Sequence, residues 1–129
     1  MERRRVLLGL ISVLTLVGCA DAPANLQGQW MGTWSLGSYT DSAQATLTQS
    51  GSSVSGTVQF GGLACVTAGS LTGTVMSNHI DGIVTSVSSS SDTLSFSADL
   101  SGTTLSGTFT GTSGFCAGAS GSLQFHRTS

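Results

Sequence analysis

Gly51-Ser52-Ser53-Val54-Ser55-Gly56-Thr57-Val58 returns 51 residues later as Gly102-Thr103-Thr104-Leu105-Ser106-Gly107-Thr108-Phe109. Each copy opens on a turn of glycine and small hydroxyl residues. Each then alternates apolar or glycine positions with Ser and Thr, which is the period of two of a half-buried β-strand. Cys65 and Cys116 stand at the same spacing. One residue further out of step, Gly69-Ser70-Leu71 answers Gly121-Ser122-Leu123. In the other direction, Trp30-Met31-Gly32-Thr33 lies under Ile80-Asp81-Gly82-Ile83. An echo of this period divides the chain into two similar halves.

Working outward, the same two-residue period recurs on both sides. Leu26, Gly28, Trp30, Gly32, Trp34 and Leu36 share one parity, and Ala43, Ala45 and Leu47 set the inner face of a second strand. Val54, Gly56, Val58 and Phe60 make a third, and Leu71, Gly73 and Val75 a fourth. The fifth, His79 to Val87, is irregular, because Ile80, Ile83, Val84 and Val87 do not share a parity; a bulge or burial on both faces is expected there. Leu94, Phe96, Ala98 and Leu100 form the sixth, Leu105, Gly107 and Phe109 the seventh, and Gly121, Leu123, Phe125 and Arg127 the last. The expected class is all-β: a small antiparallel up-and-down barrel of about eight strands in two four-strand halves, with a β-sandwich as the alternative. Closure into a barrel is favoured because it removes sheet edges.

Charge is scarce. After position 19 the chain has Arg127 as its only Arg or Lys, against Asp21, Asp41, Asp81, Asp92 and Asp99. The basic footprint that nucleic acid requires is missing, so no nucleic-acid partner is expected. Acid–base chemistry has only His79, His126 and those aspartates to draw on. His79 and Asp81 share a strand face and offer two metal ligands without a third. Gly-x-Ser-x-Gly and phosphate-cradling patterns are lacking. The reading is of a protein that is not an enzyme and takes no cofactor or metal.

The N-terminal stretch assigns a location. Arg3, Arg4 and Arg5 precede an apolar run from Val6 to Val17, the layout of a secretory leader. As a helix that run spans roughly 18 Å, short of the roughly 30 Å of bilayer hydrocarbon. It ends on Leu16-Val17-Gly18-Cys19, which resembles the lipobox of bacterial lipoproteins. The resemblance implies removal of residues 1–18, lipidation of Cys19, and a membrane partner reached through the acyl chains. Residues 19–25, with the only proline, Pro23, then read as a tether, and 26–129 as the domain. Asp21 is third after the cleavage point, which favours the outer membrane where the host has one. With Cys19 claimed by lipid, Cys65 and Cys116 remain as an even pair in a disulfide-permissive compartment. A disulfide is expected, two buried thiols being the alternative.

Gly28-Gln29-Trp30 resembles the Gly-x-Trp signature of the calycin barrels, the lipocalins and avidin-like proteins. That resemblance makes Arg127 the counterpart of the late basic residue that packs on the Trp, so Trp30 and Arg127 are the expected barrel-closing pair. Trp30, Trp34, Val58, Phe60, Leu71, Leu94, Phe96 and Phe109 would line an interior. The inward glycines either leave room there for a small apolar ligand or merely let the strands coil tightly. Two functions follow: an envelope-anchored structural or interaction module, and a lipocalin-like carrier of a small hydrophobic ligand.

Overall fold

The computed structural model describes residues 22–129; the expected leader, 1–18, and the expected lipidation site, Cys19, lie outside them. Eight strands follow one another around a closed antiparallel up-and-down barrel. They are β1 (Gly28–Leu36), β2 (Tyr39–Ser50), β3 (Ser53–Phe60), β4 (Ala68–Met76), β5 (His79–Ser86), β6 (Thr93–Ser101), β7 (Thr104–Ser113) and β8 (Ser120–Arg127). A 3-10 turn, Gly114–Cys116, sits between the last two. β1 and β8 close the ring, paired from Trp30↔Arg127 to Ser35↔Ser122. The sandwich alternative is thereby set aside. β1 to β4 and β5 to β8 are the two halves that the sequence echo marks.

The alternation sorts side chains as the pleat requires. Trp30, Leu47, Val54, Val58, Val75, Ile80, Val84, Leu94, Ala98 and Phe125 are buried inside. Thr46, Thr48, Ser55, Thr57, Ser70, Thr72, Thr108 and Thr110 cover the wall. A lipid-embedded barrel shows the reverse, with an apolar band outside and a polar lumen. The wall is thus built to face water.

The inward glycines have a structural cause. A Cβ at Gly56 would lie 2.0 Å from the carbonyl oxygen of Thr46 on the neighbouring strand, and one at the equivalent Gly107 2.0 Å from that of Ser97. Gly32 and Gly82 repeat the pattern against Gln124 and Thr72, at 1.7 and 2.4 Å. Glycine at these points lets backbones approach where a small barrel coils most sharply. These positions do not hollow the lumen. Deeper in the barrel, between residues such as Trp30, Phe96 and Phe109, the side chains leave a void of about 40 Å³ with an entirely apolar lining. Ligand pockets run to roughly 300 Å³ or more.

β5 departs from expectation. Its pairing with β4 and β6 is unbroken, so there is neither a bulge nor two-sided burial. Ile80 and Val84 point in, while Ile83 is 50% and Val87 67% exposed. The irregular apolar parity is simply two hydrophobes left on the outside. The one register shift lies between β6 and β7, at Thr93/Leu94, where the chain turns toward the cysteine-bearing loop.

The entering chain plugs one end of the barrel. Within 19–25, the expected tether, Ala24 is not free: its N–H donates to Ser77 O at 2.7 Å, and its carbonyl accepts from Gln49 Nε2 at 2.8 Å. Leu26, 1% exposed, donates to Gln49 Oε1, and its carbonyl accepts the Trp30 indole N–H at 2.9 Å. Arg127 lies over Trp30, its Cζ 4.7 Å from the ring centroid. Its guanidinium donates to the carbonyls of Asn25 and Gln27. Trp30 and Arg127 therefore meet where β1 and β8 pair to close the ring.

Candidate functional site

The opposite end carries the longer connections: 61–67 between β3 and β4, 87–92 between β5 and β6, and 114–119 between β7 and β8. Cys65 and Cys116 form the expected disulfide across it, with Cα atoms 5.4 Å apart. The bond joins the β3–β4 connection to the β7–β8 connection and so ties the two halves together across this end. Cys116 and Val66 are buried beneath this strap. Leu63 and Phe115 stand out from it, 85% and 86% exposed, and Leu36 joins the rim at 39%.

Each half braces its loop with an aspartate at the same repeat position. Asp41 Oδ2 accepts the Tyr39 hydroxyl at 3.0 Å, and the Tyr39 hydroxyl oxygen in turn accepts the Leu63 N–H at 3.1 Å. Fifty-one residues on, Asp92 Oδ1 accepts the Phe115 N–H directly at 2.7 Å. The Ser42 amide, then Tyr39, hold the Asp41 carboxyl below its ordinary value, as donors to a carboxylate must. The rim is therefore apolar at its tips and anionic at its base.

Under the strap lies an apolar cavity of about 220 Å³. Trp34 forms its floor, edge-on to Phe60 and Phe109 with centroids 6.4 Å away in each case. The Trp34 indole N–H is taken by Gly61 O at 3.1 Å, so the floor offers no free donor. The eight expected lining residues divide between two spaces. Trp34, Phe60, Leu94 and Phe109 reach this cavity, while Trp30, Val58, Leu71 and Phe96 do not and line the small internal void, which Phe60, Leu94 and Phe109 also border.

A second cluster sits outside the wall near the plugged end. His79 Nδ1 meets Asp99 Oδ1 at 2.7 Å, and its Nε2 meets Asp81 Oδ1 at 3.1 Å and Ser97 Oγ at 2.9 Å. The bond to Asp99, then that to Asp81, raises the His79 pKa above 6.5. Ser97, then His79, lowers that of Asp81. Hydroxyl, imidazole and carboxylate are thus in line, but Asp81 competes for Nε2, and the surrounding strand amides are committed to the barrel ladder. An oxyanion would find no preorganised donors. Among the described residues no three His, Cys, Asp or Glu side chains are grouped to hold a metal.

The sequence reading did not single out Leu63, Phe115, Asp92 or Asp99 for function. For Asp41 and Asp92 a signal existed, since they fall on each other at the repeat spacing. Phe115 carried one too, as the lone large apolar residue in a Gly/Ser/Ala loop beside a cysteine. Asp99 becomes visible only when the register sets it opposite His79. No family model, no curated protein and no solved structure matches the chain.

Proposed function

We propose that this chain is an envelope lipoprotein, anchored through Cys19, whose barrel is an interaction module working through its strapped rim. The observation that carries the reading is the pairing of a deep interior reduced to about 40 Å³ with Leu36, Leu63 and Phe115 exposed on the end opposite the docked N-terminal segment. A chain held by its N-terminus presents that rim away from the anchor. Aromatic anchors at the centre of a patch are where binding energy concentrates, whereas the wall is mostly Ser and Thr, with its charged side chains tied up in the His79 cluster. Nothing in this role calls for catalysis, in keeping with the competition at His79 Nε2.

The carrier reading has one observation in its favour, the apolar cavity of about 220 Å³ beneath the strap. That is below the usual ligand-pocket range of roughly 300 to 1,000 Å³, and it suits a single ring or short acyl segment. A photo-crosslinking side chain placed in turn at Phe115, Leu63 and the wall residue Thr57, in intact cells, tests the module. Discrete protein adducts are expected from the rim positions and not from Thr57. Equal adducts from all three would remove the rim's special role. The anchor is tested separately: Cys19→Ser is expected to leave the membrane fraction, and its retention there would remove the lipid from the account.

A further inference from the structure

The rim combines two features that specify its partner more narrowly than apolarity does. Leu63 and Phe115 project from the strap, and each is carried by a loop whose backbone N–H leads back to a carboxylate, Asp41 through Tyr39 and Asp92 directly. Asp41 and Asp92 stand at the same repeat position in the two halves, so each apolar tip has a carboxylate at the base of its own loop. Among the described residues the one guanidinium, on Arg127, is committed to the plugged end, where it touches Trp30. Both imidazoles also lie toward that end, His79 facing Asp99 and His126 bonded to Thr104. The rim therefore has acceptors and apolar surface, and no cation to balance them.

We propose that the rim docks a cationic apolar segment of a partner protein. An aliphatic or aromatic side chain of that segment would lie against Phe115 and Leu63 at the cavity mouth, with Lys or Arg on either side facing Asp41 and Asp92. The inference rests on the module reading and gives its partner a chemistry. Charge at a rim steers association and makes it salt-dependent, while the apolar contact sets residence time. A neutral or acidic segment would meet the same apolar tips but would bring no charge to the carboxylates, or the wrong one.

The test uses the full chain in nanodiscs of zwitterionic lipid, so that anionic headgroups do not attract the probes. The probes are three short labelled peptides with one Phe-Leu centre flanked by Lys, by Ser or by Glu. Binding is read by anisotropy. The Lys-flanked peptide is expected to bind, and to weaken as salt rises. Phe115→Ser with Leu63→Ser, at two exposed tips, is expected to weaken it about tenfold or more. Asp92→Asn, which keeps an oxygen for the Phe115 N–H, is expected to weaken it about fivefold. Equal binding of the Ser- or Glu-flanked peptide, no effect of the double serine variant, or no binding of the Lys-flanked peptide overturns the proposal. Rim crosslinks in cells to a partner segment without basic residues would overturn it too, while leaving the module reading intact.

Discussion

Arg127 lies across the face of Trp30, guanidinium carbon 4.7 Å from the ring centroid, and ties the last strand to the first. Two carbonyls of the entering segment, on Asn25 and Gln27, receive its donors. The contact joins the two ends of the domain at the point where the barrel closes. Desolvated cation–π contacts contribute about 0.5 to 2 kcal/mol, and the carbonyl bonds add to that. Arg127→Ala is expected to lower unfolding free energy by about 1 to 3 kcal/mol, read from the denaturant midpoint. Arg127→Lys should recover part of the loss, because one ammonium cannot serve both carbonyls and the ring. An alanine variant within about 0.5 kcal/mol of the parent would contradict this role.

Gly56 and Gly107 make the coiling argument testable at equivalent places. An added methyl at either would meet a neighbouring strand's carbonyl oxygen at 2.0 Å, and the ladder has to move to admit it. Gly56→Ala and Gly107→Ala are each expected to cost about 1 to 3 kcal/mol. Gly51→Ala in the adjacent turn provides contrast: its Cβ meets nothing within 4 Å, so any cost there comes from its φ of 59°. Were the lumen positions hollow, alanine at 56 or 107 would be neutral or stabilising in thermal melts.

The Cys65–Cys116 bond closes a loop of 51 residues. In the chain-entropy account that constrains the unfolded state by about 4 kcal/mol. Cys65→Ser with Cys116→Ser is expected to lose most of that, and to speed amide exchange in 61–67 and 114–119 before it does so in the strands. Alkylation of both thiols in unreduced, unfolded protein would show that the bond does not form.

His79 gives stability a pH dependence with a definite sign. Its pKa is raised in the folded state, chiefly by Asp99 and then by Asp81. The folded protein therefore holds this proton more tightly than the unfolded chain. The contribution is fully present below the ordinary value of 6.5 and is lost as pH rises through the elevated folded value. Asp81 and Asp41 have lowered values; their contributions are present above 3.8 and are lost as pH falls through the folded values. His79→Gln is expected to flatten the stability profile on the alkaline side of 6.5 and to remove from the acid limb only the part that Asp81 owes to His79, leaving the parts owed to Ser97 and to Asp41. An unchanged profile would show that the clamp is not coupled to folding.

Strand parity and the repeat were legible because each depends on neighbours along the chain. Val54, Val58 and Phe60 announce an inner face by spacing alone, and the doubled turn at Gly51 and Gly102 announces two halves. The pairing of β8 with β1 was legible too, since an up-and-down ring sets the last strand beside the first. The role of the glycines was not, because a collision between Gly56 and the Thr46 carbonyl depends on coiling across strands. The rim was harder still. Leu63 and Phe115 have no periodic partners, and what distinguishes them is exposure at one end, which spacing cannot reveal. Ile83 shows the same limit: its hydrophobicity suggested burial, yet it stands on the outer wall.

The central claim is that the barrel works through its rim and not as a container. Native mass spectrometry of the protein, released from membranes without added lipid, tests it most directly. The account predicts the mass of the acylated polypeptide with one disulfide and no bound small molecule, before and after gentle activation. A stoichiometric apolar adduct that Trp34→Ala abolishes, with the barrel still folded, would contradict it and give the cavity under the strap to a ligand.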